Sequence, residues 1–234
     1  MRDLKTIVFT MWQNDLVGLD LWLKYYQKQF DDVLILCFST NPKYFPELEK
    51  RNVKYELLEG EGWDDPGRTN IMLCEKQREL LKEYDWVLFC NLDEFLVPNP
   101  RWYKSIRKLI ESRYYIPAEC FEVIQLSDDK EIDYSQPLLR QRQHWVKNKN
   151  MNKVLLSSVP LSWNEGQHQI AEVSSEMSMN FENTDLYLVH LKHADSKTEG
   201  RDLGPMKRSP EAYVFEQIKN GQDVPIPDIF KEIL

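Results

Sequence analysis

Glycine is scarce in this chain, with only 8 among its 234 residues. The sequence contains neither GxGxxG nor GxxxxGK[ST], the glycine-rich loops that wrap phosphates in dinucleotide-binding folds and in P-loop NTPases. These two nucleotide-binding classes are therefore excluded. Any phosphate site in this chain must be built from other residues.

Long apolar runs and paired cysteines are also missing. No apolar run approaches the ~20 residues that a membrane-spanning helix needs. The four cysteines stand far apart, with no CxxC string and no Cys–His spacing typical of metal sites, which indicates reduced, buried thiols. The N-terminal residues 1–5 are charged and lead straight into a strand pattern, unlike a signal peptide. We therefore expect a cytoplasmic protein without a transmembrane segment.

Basic residues are in the minority, with 30 Lys and Arg against 38 Asp and Glu, for a net charge of −8. Such a balance argues against a nucleic-acid-binding surface as the main function. Hydrophobic residues make up 42% and charged residues 29%, which is typical of a globular domain. No internal repeat or linker interrupts the sequence, so we predict a single domain over residues 1–234.

Apolar runs at strand and helix spacing alternate through the first half of the chain. The runs at 6–10 and 33–38 predict two buried strands, and the apolar stripe between them predicts a helix, which together make a βαβ unit. A strand over 53–57, a helix over 68–84 and a buried strand over 86–90 continue the alternation. We therefore predict an α/β fold with a mixed, mainly parallel sheet flanked by helices.

The second half of the sequence is less regular. Its patterns predict a helix that begins at Asn99–Pro100, strands near 114–124, 153–156 and 186–193, a solvated hairpin arm over 138–146, and a tail helix near 210–219.

Three polar side chains follow the most apolar strand: Asn91, Asp93 and Glu94. In an open α/β sheet, ligands collect outside the carboxyl ends of the strands. A carboxylate two residues after another oxygen donor can hold Mg²⁺ or Mn²⁺ while leaving positions for phosphate oxygens. The alternative interpretation is an ordinary turn in which Asp93 and Glu94 are solvated or act as caps.

Other polar residues lie where the pattern gives them two possible roles. Gln77 falls on the apolar stripe of the predicted 68–84 helix, so it either binds backbone or points toward a ligand. His190 and His193 lie on opposite sides of a regular strand, so only one is expected to face a site. Trp163 and His168 belong to a loop rich in functional groups, where packing and ligand binding are both open.

The segment 86–98, WVLFCNLDEFLVP, resembles the acidic motif of GT-A glycosyltransferases of the family-2-like group, W-x-x-x-x-D-x-D-E-F followed by an apolar residue, any residue and proline. Weaker similarities follow in the same order along most of the chain from about residue 6 to 200, while 114–150 match poorly. They lie at Gln13–Asn14–Asp15 with Trp22 and Tyr25–Tyr26, at Gln77, at Lys153–Val154, at Gly166-x-His168 and at Val189–His190–Leu191.

This resemblance implies a GT-A fold and the transfer of a sugar from a nucleotide-sugar donor to a glycan or other hydroxyl acceptor. Mn²⁺ or Mg²⁺ would assist the reaction. A UDP-linked sugar is the favoured donor, and a GDP-linked sugar is the other possibility. The donor would occupy the half of the chain over about 1–98 and the acceptor the half over about 99–234. The implied metal ligands are Asp93, Asn91 and His190, and the implied donor-binding residues are Thr10, Trp12, Asn14, Gln77 and Lys153.

An inverting transferase also needs a carboxylate that takes the acceptor proton. Glu165, next to Gly166-x-His168, is the predicted base, with Glu122 and Asp195 as alternatives. Glu94 is expected to bind acceptor hydroxyls or to fix the loop of the motif.

Asn91 departs from the family pattern, because it replaces the first aspartate of the motif with an uncharged amide. Two other functions therefore stay open at this point. One is a metal-dependent nucleotidyltransferase or phosphohydrolase that uses Asp93, Glu94 and His190. The other is a non-catalytic nucleotide- or carbohydrate-binding module in which Asn91 marks lost catalysis.

Overall fold

Strands and helices alternate through the first half of the chain, as its apolar runs predict. The computed structural model describes residues 3–13, 15–38, 45–58, 66–110, 114–126, 128–171, 185–194 and 223–234. The first elements are β1 (Thr6–Trp12), α1 (Leu16–Tyr26), β2 (Asp32–Cys37), α2 (Phe45–Lys50), β3 (Lys54–Leu57), α3 (Pro66–Leu80), β4 (Trp86–Phe89) and β5 (Glu94–Pro98).

In the second half of the chain, the described residues form more strands than helices. Its elements are α4 (Ile106–Leu109), β6 (Tyr115–Ile124), β7 (His144–Lys147), β8 (Lys153–Ser157), β9 (Leu186–His193) and β10 (Asp223–Pro225). Short 3-10 turns cover Leu138–Arg140, Lys149–Met151, Glu165–Gln167 and Asp228–Phe230.

The strands form a mixed sheet in the order β10-β7-β6-β8-β4-β1-β2-β3, with β9 between β6 and β5. At its centre β1 runs parallel to β2 and β4, and β2 runs parallel to β3. On the other side β8 is antiparallel to β4 and β6, whereas β9 is parallel to β6 and antiparallel to β5. The predicted α/β fold, with a mixed and mainly parallel central sheet flanked by helices, is confirmed.

Helix α1 begins at a side-chain cap. Asp15 accepts a hydrogen bond from the backbone N–H of Gly18 at 2.8 Å, which is the contact expected of an N-cap. Gly18 fits beneath this carboxylate because a Cβ there would lie 2.4 Å from Asp15 Oδ2. The predicted apolar stripe then packs on the sheet, where Leu19, Trp22 and Tyr26 are fully buried.

Two tyrosines of α1 hydrogen-bond to the edge of β5 opposite β9, which is its strand partner among the described residues. The Tyr26 hydroxyl accepts from Leu96 N at 2.8 Å and donates to the Glu94 carbonyl at 3.1 Å. The Tyr25 hydroxyl donates to the Leu96 carbonyl at 2.8 Å. Because a buried strand edge leaves costly unpaired groups, these bonds fix β5, and with it Glu94, against α1.

Replacing Tyr26 with phenylalanine should destabilise the fold by about 1–3 kcal/mol, because the buried Leu96 N–H loses its acceptor. Tyr25→Phe is the matched control, and it should cost less because an under-satisfied carbonyl is tolerated better than an orphaned N–H. Urea unfolding of the three proteins measures both values. Equal stability of Tyr26→Phe and the wild type would contradict this account of the β5 edge.

The structure departs from the sequence patterns at several element boundaries. The helix predicted to begin at Asn99 is a single turn in which the Asn99 carbonyl accepts from the N–H groups of Trp102 and Tyr103. Trp102 is 72% exposed, so it does not pack as the first apolar residue of that helix, and among the described residues from 99 to 110 the α-helix is limited to the four residues of α4. A stripe that buries nothing at its start cannot hold the first turns of a helix.

Other boundaries shift by a few residues. Strand β1 continues through Trp12, two residues beyond the predicted strand over 6–10. Helix α3 ends at Leu80 rather than at Tyr84, and the predicted hairpin arm over 138–146 is a 3-10 turn followed by β7. The predicted tail helix over 210–219 lies outside the described residues. No helix in the described part of the chain combines the length and apolar character that crossing a membrane requires.

Candidate functional site

The acidic motif forms a tight turn between β4 and β5. The Asn91 carbonyl accepts from Glu94 N at 3.1 Å, and Asn91 N donates to Glu94 Oε2 at 3.3 Å. The carbonyl of Asp93 accepts from Leu191 N at 2.8 Å, which ties the turn to β9. Asp93 is therefore held in place through its backbone at the carboxyl end of β4.

His190 faces Asp93 across this edge. Its Nε2 lies 3.4 Å from Asp93 Oδ2, and the two side chains are 6% and 13% exposed. The antiparallel register of β5 and β9 sets Glu94 opposite His190, which brings the histidine to the turn. The structure thus brings together two residues that stand 97 positions apart and that the sequence proposed as metal ligands.

A second carboxylate lies behind the same imidazole. His190 Nδ1 lies 2.7 Å from Glu122 Oε2, and the parallel register of β6 and β9 pairs these two residues. Asn148 Nδ2 donates to the other oxygen, Glu122 Oε1, at 3.0 Å. Glu122 is only 4% exposed, so it serves His190 and Asn148 rather than an acceptor in solvent. This placement argues against Glu122 as the base that removes an acceptor proton.

The two carboxylates decide the charge of His190. Burial lowers the pKa of this histidine, but Glu122 and then Asp93 outweigh that effect and raise the pKa to about 10. The carboxylate of Glu122 behind Nδ1 orients the ring, as such carboxylates do behind metal-bound histidines. A cation bound at Nε2 would displace the proton that this nitrogen shares with Asp93. Sequence reasoning considered Glu122 only as an alternative base, because nothing in the sequence shows which strands become neighbours.

Glu94 and Lys153 form a buried ion pair beside the turn. Lys153 Nζ lies 2.6 Å from Glu94 Oε1, and the two side chains are 3% and 1% exposed. Burial lowers the pKa of Lys153, but the Glu94 carboxylate outweighs it, and the net change is upward. Glu94 therefore fixes the turn through Asn91, which is one of its two predicted roles, and its contact with acceptor hydroxyls stays a prediction. The Lys153 ammonium lies against Glu94, and its predicted contact with phosphate stays a prediction as well.

The oxygen donors of the turn fit a divalent cation. Asn91 Oδ1 is a buried atom with no hydrogen-bond partner among the described residues. A buried polar oxygen without a partner is costly unless a ligand completes it. The Asp93 carboxylate belongs to the same turn, and His190 Nε2 faces it. An amide oxygen, a carboxylate and an imidazole nitrogen are donors that Mn²⁺ or Mg²⁺ could share with phosphate oxygens.

Three of the residues proposed to bind the donor, Thr10, Trp12 and Asn14, lie in or next to β1. Thr10 and Trp12 are strand residues with 0% and 1% exposure, and not members of a loop. Trp12 Nε1 donates to the Asp15 carbonyl at 2.8 Å, which closes the strand onto the cap of α1. Asn14 lies outside the described residues. The donor contacts of all three stay predictions.

Gln77 has the backbone partner that one of its two interpretations requires. Its Oε1 accepts from Leu161 N at 2.8 Å, and the side chain is 0% exposed. The bond attaches α3 to the start of the loop over 161–171. This contact favours a structural role for Gln77, and its proposed contact with the donor stays a prediction.

The loop over 161–171 is built around Trp163. Its indole Nε1 donates to the Val154 carbonyl at 2.7 Å, and its ring lies 6.0 Å from that of Phe89. Asn70 Nδ2 donates to the Trp163 carbonyl. Trp163 is 4% exposed, so packing rather than sugar stacking is the role that its surroundings support.

His168 and Glu165 follow in the same loop. Gly166 has φ +75°, and a Cβ there would lie 2.8 Å from His168 Cδ2, so only glycine lets the imidazole lie over this turn. Burial, and then the charge of Lys153, lower the pKa of His168, which places it close to the ion pair. The side chain of Glu165 and all of Asp195 lie outside the described part, so the identity of the base stays a prediction.

Comparisons with known proteins add two distant likenesses. No protein-family model matches the chain, and no curated protein sequence matches it. The chain is similar to the solved structure of CMP:2-keto-3-deoxy-manno-octonic acid synthetase complexed with CTP, at 13% identity and a TM-score of 0.36, over 94% of this chain and 88% of that chain.

A second similar structure is provisionally named a nucleotide-diphospho-sugar transferase, from Desulfovibrio desulfuricans G20. The identity is 10% and the TM-score 0.33, over 78% of this chain and 71% of that chain. Identities and scores this low leave function to be argued from the site itself.

Proposed function

We propose that this chain transfers a sugar from a nucleotide-sugar donor to a hydroxyl group of a glycan or another acceptor, assisted by Mn²⁺ or Mg²⁺. One observation carries the proposal: Asp93 Oδ2 and His190 Nε2 face each other at 3.4 Å at the carboxyl end of β4. Asp93 belongs to a segment that resembles the metal-binding motif of GT-A glycosyltransferases, and His190 is brought to it from β9. The edge of the sheet is also where open α/β folds bind their ligands.

Asp93, His190 and the amide oxygen of Asn91 would hold the cation. When bound, a divalent cation neutralises the charge that develops on a diphosphate leaving group. The protein's own part is to keep these donors fixed. Glu94 clamps the turn at Asn91 N, and Lys153 in turn neutralises Glu94, so the second carboxylate of the motif is directed inward.

The acceptor hydroxyl must lose a proton as it attacks, and a carboxylate within reach is the simplest acceptor for that proton. We assign this role to Glu165. Its loop is held on α3 by Gln77 at Leu161 and by Asn70 at Trp163, so the residue is presented from a fixed support. UDP-linked sugars are the first donors to test, followed by GDP-linked sugars.

Replacing Glu122 with glutamine should weaken Mn²⁺ binding by about 10–100-fold, the usual effect of losing a carboxylate behind a metal-bound histidine. The amide keeps the size of the side chain but removes the charge that faces His190 Nδ1. Titration calorimetry with Mn²⁺ measures the affinity, and circular dichroism checks the fold. Glu119→Gln, on the same strand and also buried, is the matched control. Unchanged affinity in Glu122→Gln would contradict the role of Glu122.

A thermal-shift panel tests the proposed function. UDP-, GDP-, CDP- and dTDP-sugars are each added with and without Mn²⁺, because a ligand that binds only the folded protein raises its melting temperature. The proposal predicts a shift with one nucleotide class that Mn²⁺ enlarges and that Asp93→Ala abolishes. A parallel assay follows the turnover of nucleoside triphosphates and nucleotide sugars.

The outcomes of the panel separate the open functions. Turnover of nucleoside triphosphates with inert nucleotide sugars would replace the proposal with a nucleotidyltransferase or phosphohydrolase. Binding without turnover, unchanged in Asn91→Asp, would indicate a non-catalytic module. No shift with any nucleotide sugar would also contradict the proposal.

A further inference from the structure

A cluster of three different donor types lies behind the proposed site. Cys120, Glu122 and His190 each offer one ligand atom, and these atoms lie within 4.8 Å of one another. All three side chains are buried, with exposures of 0%, 4% and 5%. The proposed sugar transfer uses His190 through Nε2 and Glu122 as its support, but it gives Cys120 no role.

The sheet fixes this cluster. Cys120 and Glu122 are two residues apart in β6 and therefore point to the same face. Strand β9 runs parallel beside β6 and places His190 at the register position of Glu122. The backbone of Cys120 is held as well, because its N–H donates to Asn152 Oδ1 at 2.8 Å. Donors on adjacent strands are held more rigidly than donors on a loop.

We infer that Cys120, Glu122 and His190 form a binding site for a zinc-class cation, distinct in chemistry from the Mn²⁺ or Mg²⁺ position at Asp93. A thiolate, a carboxylate oxygen and an imidazole nitrogen are the three kinds of ligand that Zn²⁺ takes in proteins, often three at a time with water in the fourth position. Mg²⁺ and Mn²⁺ prefer oxygen donors and gain little from sulfur. The Cys120 sulfur is therefore what selects the ion.

The charges of such a complex balance. The 2+ charge of zinc meets one thiolate and one carboxylate, while the imidazole is neutral, so the sum is zero. A buried complex without net charge avoids the large cost of burying an ion. As the sulfur–metal bond forms, the S–H bond of Cys120 breaks, and as the nitrogen–metal bond forms, the N–H bond at His190 Nδ1 breaks. Both protons pass to the buffer, since metal ligands must be deprotonated.

Binding requires small side-chain movements. Ligands on a tetrahedral zinc ion with bonds of about 2.0–2.1 Å stand about 3.3 Å apart. His190 Nδ1 and Glu122 Oε2 lie 2.7 Å apart, so this pair must open slightly for both atoms to bind zinc. A bound zinc ion would therefore break the contact by which Glu122 supports His190. On the basis of the proposed function, zinc at this site should inhibit Mn²⁺-assisted sugar transfer.

Cobalt titration of the full chain tests the inference without any activity assay. Co²⁺ replaces Zn²⁺ in such sites, and a thiolate ligand gives it a near-ultraviolet charge-transfer band. We expect this band at one equivalent in the wild type, its loss when Zn²⁺ displaces Co²⁺, and its absence in Cys120→Ser. Cys37→Ser is the matched control, because Cys37 is equally buried in a strand and belongs to no such cluster in the described part of the chain.

The variants should also differ in affinity. Zn²⁺ binding to Cys120→Ser should weaken by more than about 100-fold, beyond the 10–100-fold typical of residues that only support a ligand. Because the serine oxygen of Cys120→Ser could itself bind the metal, Cys120→Ala is measured as well, and circular dichroism checks its fold.

Absence of the charge-transfer band in the wild type would overturn the site, whatever the donor assays show. A band that persists in both Cys120 variants would do the same. A normal charge-transfer band without inhibition of sugar transfer by Zn²⁺ would support the zinc site and contradict its predicted effect on activity. The failure of the zinc site can therefore be told apart from the failure of the proposed sugar transfer.

Discussion

Asp93→Asn should lower nucleotide-sugar turnover by at least about 100-fold, the scale on which loss of one fixed charge-stabilising group acts in an active site. The substitution keeps the shape of the side chain and leaves the Asp93 carbonyl bound to Leu191 N. It removes the charge that faces His190 Nε2. Steady-state kinetics at saturating Mn²⁺ and donor measure kcat, while circular dichroism checks that the fold is kept.

The control is Asp128→Asn, which removes the same charge from an exposed position outside the site. It should leave turnover within about twofold, because exposed charges far from a site are largely screened by salt. Near-normal turnover in Asp93→Asn would contradict the assignment of Asp93. Equal losses in both variants would show that net charge, rather than the site, controls the reaction.

Lys153→Met should have the largest effect on stability, a loss of about 3–5 kcal/mol, because it leaves the Glu94 carboxylate buried without its partner. Methionine fills a similar volume, so little of the loss comes from an empty cavity. Urea unfolding measures the free energy. Lys54→Met is the control, since the Lys54–Asp32 pair is exposed and should contribute about 1 kcal/mol or less.

The double variant Lys153→Met/Glu94→Gln should recover most of this loss, because both charges are then gone and the amide can still accept from Asn91 N. A double-mutant cycle isolates the pairwise energy from other effects. Additive losses, with the double variant less stable than either single variant, would contradict a direct interaction between these two groups.

The strands of the first half were predictable because each is a continuous apolar run. Strand β4 is buried along its whole length, and the shortness of its apolar run, with polar residues at its end, favours a strand over a buried helix. The turn at Asn91 and Asp93 was predictable for the same reason, since polar residues end the run. The helix predicted to begin at Asn99 shows where such pattern reasoning fails. Apolar residues at helical spacing, such as Trp102, are buried only if another part of the fold covers them.

The neighbours of each site residue could not be read from the sequence. Lys153 was proposed for a phosphate, yet its ammonium meets Glu94, because β8 lies antiparallel beside β4. Glu122 was weighed as a base, yet β9 inserts beside β6 and sets His190 against it. Both contacts depend on the order of strands in the sheet, which is set by long-range packing and not by local pattern.

Three of the weak similarities concern residues whose charges act on one another. Lys153, His168 and His190 are far apart in the chain, and His168 lies within reach of the charges of the other two. That these residues bind one ligand together stays a prediction. The role of each residue still depends on geometry.

Paramagnetic broadening of histidine imidazole signals by Mn²⁺ tests the central claim most directly. The chain has only four histidines, so the spectrum of protein labelled with ¹⁵N in histidine is simple, and the His190→Gln variant assigns the signal of interest. The account predicts that small additions of Mn²⁺ broaden His190 first, Nε2 before Nδ1, and that Asp93→Asn removes the effect. Broadening that spares His190, or that persists unchanged in Asp93→Asn, would contradict a cation held between these two residues.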